Sequence, residues 1–107
     1  MSEIRVDPGD PAALSVNGEL NFSTVPALLE RGAALLAGHA GAAVRLDLGG
    51  VTRADSAGLA LLIEWLRVAR RNRASIEIRN MPAQLRAIAR VSGLDAILPA
   101  GGADGTR

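Results

Sequence analysis

The sequence contains no cysteine, no tyrosine and no lysine, and its aromatic side chains are Phe22 and Trp65 alone. Without cysteine there is no disulfide, no thiolate metal site and no cysteine nucleophile. Two aromatics do not make the stacking platform that single-stranded nucleic acid needs. All 12 cations are arginines, offset by 11 acids, for a formal net charge of +1. Such a balance gives no strong field to draw nucleic acid or anionic lipid. No apolar run approaches the roughly 18 residues of a membrane span. The start, Met1-Ser2-Glu3-Ile4-Arg5, lacks the charged-then-apolar layout of a secretory signal. These absences lead us to expect a soluble cytoplasmic protein that binds no nucleic acid and inserts into no membrane.

What is present fits one domain of 107 residues. Ile4 and Val6 alternate with charged neighbours, and Leu14 and Val16 alternate with Ser15 and Asn17. Two strands are therefore predicted around the Pro8-Gly9-Asp10-Pro11 turn, paired as a hairpin, with Gly18 closing the second. Ser23 and Thr24 are N-cap types, and Pro26 suits a first helical turn. Val25, Leu28, Leu29, Gly32, Leu35 and Leu36 then share one face of a helix that stops near Gly38. Val44, Leu46 and Leu48 mark a third strand, ended by Gly49-Gly50. Ser56 to Asn72 is the longest predicted helix. Ile76 and Ile78 mark a fourth strand. Pro82 opens a third helix with Leu85, Ile88 and Ala89 inward, Gly93 as its left-handed cap and Leu94 packed beside the cap.

Ile97-Leu98 reads as a short last strand or a docked tail, and the glycine-rich residues 100–107 as disordered. Strands that alternate throughout imply a sheet covered on one face and wet on the other. Alternating with helices, they give an α/β fold, a mixed β-sheet with helices packed mainly on one face. The expected organisation is one domain over residues 1–99, then a tail.

The long helix has apolar residues on two faces. Leu59, Leu62, Ile63, Leu66 and Ala69 fill one face by the three-four rule, which would pack on the sheet. Leu61, Trp65 and Val68 form a second stripe. A helix apolar nearly all round needs cover nearly all round. The first and third helices could supply it, or another protein could. Tryptophan is enriched at binding hot spots, which favours the protein.

At the head of that helix, Asp55 lies in the loop leaving the third strand and Ser56 reads as the N-cap. The Ser56 hydroxyl admits three readings. It caps the helix; it is a phosphoacceptor whose phosphate would meet free helix N–H groups; or it is a polar contact at the rim of the apolar stripe. Asp55 opposes the phosphate reading by like-charge repulsion. Asp55, Ser56, Leu61, Trp65 and Val68 are thus the candidate partner-binding residues. Chemistry beyond binding finds no support. A serine nucleophile needs a base and an oxyanion hole, and the only histidine is His39, in a linker. Gly49-Gly50 lacks the phosphate-loop pattern. Asp47 and Asp55 are too few for a hard-cation cage. No catalytic residue, cofactor or metal is assigned. Glu64 reads as a solvated helix charge within reach of Arg67 or Arg71.

The run Val44-Arg45-Leu46-Asp47-Leu48-Gly49-Gly50-Val51-Thr52-Arg53-Ala54-Asp55-Ser56-Ala57-Gly58-Leu59-Ala60-Leu61-Leu62 resembles the STAS domain, named for sulfate transporters and anti-sigma-factor antagonists. Its signature is an apolar strand followed by Asp-Ser/Thr-small-Gly-Leu opening a helix. Within that superfamily, 58–66 and 82–94 are similar to the MlaB-like branch. The resemblance implies a STAS-like mixed sheet. It also implies a non-catalytic accessory subunit that binds the ATPase subunit of an ABC transporter. That transporter moves phospholipids and maintains outer-membrane lipid asymmetry. The subunit would be peripheral to the inner membrane through its partner, with Ser56 in the contact. The alternative it implies is an anti-sigma-factor antagonist, regulated by phosphorylation of Ser56, whose partner is an anti-sigma factor.

Overall fold

The computed structural model describes residues 2–94. The expectations for Ile97-Leu98 and for the 100–107 tail lie outside the described residues. The elements run β1 (Glu3–Asp7), β2 (Asp10–Leu20), α1 (Val25–Ala37), β3 (Ala43–Ala54), α2 (Ser56–Arg71), β4 (Ser75–Arg79) and α3 (Ala83–Val91). The sheet order is β1-β2-β3-β4. β1 and β2 form the antiparallel hairpin, whereas β2/β3 and β3/β4 are parallel. This is the α/β mixed sheet read from the alternation.

The alternation decides which face is covered. Ile4, Leu14, Val16, Val44, Leu46, Leu48, Ile76 and Ile78 are all buried toward the helices. Their strand neighbours, such as Ser15, Arg45 and Glu77, are half-buried or exposed on the other face. α1 and α2 pack side by side, α3 follows, and the C-terminal turn of α3 is as the sequence suggests. Gly93 has φ +73, and Leu94 N–H donates to Ala89 C=O at 2.8 Å.

Two strands run further than their sequence punctuation indicates. Gly18 does not end β2, which continues to Leu20, and Gly49-Gly50 does not end β3, which continues to Ala54. The pairing absorbs the irregularity in register shifts between Ser15 and Asn17 and between Gly18 and Glu19. Gly50 suits the close approach there: a Cβ on it would overlap the Asn17 side chain as placed and lie 3.2 Å from Val16 C=O. These extensions carry both strand ends to the same edge as the head of α2.

The larger correction concerns α2. Leu61 and Trp65 are each 1% exposed and Val68 is 7% exposed. The stripe read as a partner surface is core, sealed by this chain's own elements. The reason is a shape match between α1 and α2. Gly32 leaves a gap in α1, and the Trp65 indole fills it; a Cβ on Gly32 would fall inside the ring. Trp65 Nε1–H donates to Leu29 C=O at 3.2 Å, which satisfies the one polar atom that burial would otherwise strand. Beside the ring only about 10 Å³ of void remains, among Ile4, Leu14, Leu36 and their neighbours. The buried arc of α2 is therefore turned by roughly 100°, one residue's rotation, from the expected one. Ile63 and Leu66, assigned inward from sequence, are only half-buried.

Candidate functional site

With the Trp65 side buried, the outward line of α2 is Ser56, Ala60, Ile63 and Arg67, spaced by four, three and four residues. Such spacings stack side chains on one helical face. Ser56 and Ala60 are exposed at its head.

The head is held from three directions. Asp55, not Ser56, is the N-cap: its backbone is extended (φ −120°, ψ −163°), and its carboxylate accepts the Ala57 N–H at 2.8 Å. Such a cap contributes about 1 kcal/mol. Ser56 is the first helical residue, and its side chain is not needed for capping. Asp55 N–H donates to Leu20 C=O at 3.2 Å, which ties the loop to the end of β2. Ala54 N–H donates to Gln84 Oε1 at 3.0 Å, which ties it to α3. Gly58 lets the helix seat this closely: a Cβ there would lie 3.0 Å from Leu20 Cβ and 3.3 Å from Leu85 Cδ2. The Asp-Ser-Ala-Gly-Leu run thus has a physical content: a cap, an exposed hydroxyl and a small residue where the helix meets β2 and α3.

A second rigid turn adjoins the first. Asn21 Oδ1 accepts the N–H groups of Ser23 (2.9 Å) and Thr24 (3.1 Å). Thr24 Oγ1 accepts Asn21 N–H at 3.0 Å and donates to Glu19 C=O at 2.8 Å. Thr24 spends its hydroxyl on the turn and makes no side-chain cap bond to α1. Phe22 rides on this turn, 81% exposed. Between the two turns lies an open polar cleft of about 490 Å³, lined by Glu19, Leu20, Asn21, Arg53, Ala54, Asp55 and Gln84.

The cleft's lining includes no imidazole and no thiol. His39 follows α1 and precedes β3, whereas Ser56 follows β3, so a 12-residue strand separates them. At about 3.3 Å per residue the ends of that strand lie roughly 30 Å apart, far beyond proton-transfer reach. The His39 ring is engaged instead with its own helix end, Nδ1 lying 2.8 Å from Leu35 C=O. Among the described residues no cluster of metal-ligating side chains is found. The geometry presents a hydroxyl and a carboxylate to the outside at the head of α2.

The structure leaves Asp55 and Ser56 exposed at the head of α2, and removes Leu61, Trp65 and Val68 from the surface. Phe22, Glu19, Asn21, Arg53 and Gln84 were not read from sequence. Asn21 and Thr24, both turn formers flanking Phe22, carried a local signal for the second turn. Gln84, 30 residues from Ala54, carried none.

Residues 5–99 match the family model described as Mlab, STAS domain. Among solved structures, an anti-sigma factor antagonist from Mycobacterium paratuberculosis is 25% identical, with a TM-score of 0.71 over 94% of this chain and 86% of that one. The anti-sigma factor antagonist SpoIIAA in its unphosphorylated form is 15% identical, with a TM-score of 0.69 over 92% and 88%. An anti-sigma-factor antagonist (STAS) domain protein from Planctomyces limnophilus is 13% identical, with a TM-score of 0.68 over 94% and 88%. The last two likenesses concern the fold alone. No curated protein matches the sequence.

Proposed function

The chain belongs to the STAS-domain family, and from that membership we propose that it is a non-catalytic subunit that docks onto the ATPase subunit of a phospholipid-transporting ABC system. The observation that carries the docking is the head of α2. Ser56 is exposed and unused by the cap, the Asp55 carboxylate precedes it, and three hydrogen bonds hold the helix head in place. A pre-organised patch loses little entropy on binding. Such a subunit acts in the cytoplasm, at the inner membrane through its partner, and supports a transporter that maintains outer-membrane lipid asymmetry. The Mlab description of the matching family model supports this branch.

A second reading is favoured by the 25% identity to an anti-sigma factor antagonist. In it the partner is an anti-sigma factor, and phosphorylation of Ser56 breaks the contact by placing a dianion in the interface. The first-turn N–H groups of α2 favour that phosphate, and Asp55 opposes it.

Co-expression separates the two. The full chain is purified with an ABC ATPase encoded beside it and, in parallel, with an anti-sigma factor of the same organism. A stoichiometric complex that survives gel filtration with the ATPase is the expected result. A complex with the anti-sigma factor alone, together with phosphate on Ser56 after incubation with that factor and ATP, would replace the first reading by the second.

A further inference from the structure

The outward line of α2 begins with a hydroxyl and ends in guanidinium groups. Arg67, Arg70 and Arg71 surround the half-buried Ile63 and Leu66 in a shallow groove of about 530 Å³. Among the described residues the one carboxylate paired with these arginines is Glu64, 3.9 Å from Arg67 and itself 39% exposed. Arg70 and Arg71 make no ion pair among the described residues. Cations in a last turn suit the helix dipole, which accounts for some of this charge.

The dipole favours a cation at Arg73 too, but it does not account for the backbone that carries it. That residue sits just past the helix with φ +58°, and Ala74 N–H closes the turn on Ala69 C=O at 2.8 Å. The same closing turn ends α3, and there the left-handed position is Gly93. Glycine takes this conformation without strain and arginine does not. A fourth arginine thus follows Arg71 by two residues at a conformational cost, in a chain whose net charge is only +1.

We propose that this basic end of α2 docks an acidic amphipathic segment of a partner protein. An aliphatic side chain of the segment sits over Ile63 and Leu66, and carboxylates one helical turn apart pair with Arg67, Arg70 and Arg71. The proposal takes from the proposed function that the chain docks onto a protein, and adds the chemistry of what it reads. Guanidinium forks match carboxylates in bidentate geometry, which favours a carboxylate-bearing protein. A lipid surface would need apolar side chains that protrude into it, whereas Ile63 and Leu66 are recessed between arginine stems.

The test is a titration of the full-length isotope-labelled chain with a designed helical peptide of about 16 residues, roughly four turns, carrying leucine on one face and glutamate on its flanks. We expect resonance shifts confined to Ile63, Leu66 and the arginines from 67 to 73. Raising salt from about 50 to about 300 mM should weaken binding at least about fivefold, since exposed ion pairs are screened. A lysine-for-glutamate peptide should produce no shifts. Arg70→Glu with Arg71→Glu should abolish binding. The milder pair Arg70→Gln with Arg71→Gln should weaken it about tenfold, as expected when two charge-assisted hydrogen bonds at an exposed site are removed. Arg73→Gly should raise the unfolding temperature while weakening binding, so that a loss of fold cannot explain the effect. Equal shifts with both peptides, shifts elsewhere on the molecule, or binding only to vesicles of phosphatidylglycerol would overturn the proposal. The probe contains no ATPase. Its failure removes the basic end alone, while failure of co-purification removes the parent reading.

Discussion

Trp65→Ala destabilises the domain by about 3–5 kcal/mol, the range for truncating a large aromatic in a packed core. Total stabilities of small domains are only about 5–15 kcal/mol, so the variant gives up a large share of the parent's margin. Three losses combine. The indole is 1% exposed, so its whole apolar surface returns to water on unfolding. Its Nε1–H bond to Leu29 C=O disappears, leaving that carbonyl without its side-chain donor. The gap over Gly32 becomes a cavity that the α1 backbone cannot close without moving. Trp65→Phe retains most of the ring and loses the hydrogen bond, and falls in between. Trp65→Asp buries a charge and abolishes the fold outright. Any loss of partner binding in these variants follows from loss of the domain. Urea unfolding followed by circular dichroism measures the series. An alanine variant as stable as the parent would mean that the ring is not core.

Ser56→Glu separates binding from stability in the opposite direction. A carboxylate in the first turn of a helix suits the dipole, so stability stays within about 0.5 kcal/mol of the parent, as for most surface changes. Partner affinity falls about 100-fold, because a charge trapped unpaired in an interface costs several kcal/mol and 1.4 kcal/mol is a factor of ten. Asp55 adds to the effect, since two carboxylates would then sit side by side. Ser56→Ala keeps the cap, which belongs to Asp55, and loses far less affinity. Calorimetric titration against the purified partner gives the affinities, and urea unfolding gives the stability. A glutamate variant that binds as tightly as the parent would place the contact elsewhere.

The fold was largely legible in the sequence because strand alternation is a strong signal. Ile4, Leu14, Val44, Leu46, Ile76 and Ile78 point to the side their spacing assigns. Caps were legible where glycine stands at the left-handed position, as at Gly93, and not where the same turn carries Arg73. The burial of α2 was not. Leu59, Leu61, Leu62, Ile63, Trp65, Leu66 and Val68 are compatible with more than one phase of a helix, and spacing alone does not rank them. What ranks them is Gly32, 33 residues earlier, which read as one more small residue on the α1 face. Only the packing of α1 on α2 shows that its missing side chain is the seat of Trp65. The site was half legible. Asp55 and Ser56 announce a helix head, but the transfer of the cap to Asp55 depends on one residue of register. The cleft formed with Glu19, Arg53 and Gln84 depends on strands that outrun their glycines.

Hydrogen exchange on the chain, alone and bound to the proposed ATPase partner, bears most directly on where the molecule makes contact. Residues 53–63 and the Phe22 turn should slow by at least about tenfold in the complex, as amides do when a partner covers a locally opening segment, while β1 and the wet sheet face exchange as before. Protection confined to the sheet face, with the head of α2 exchanging as in the free chain, would contradict the account.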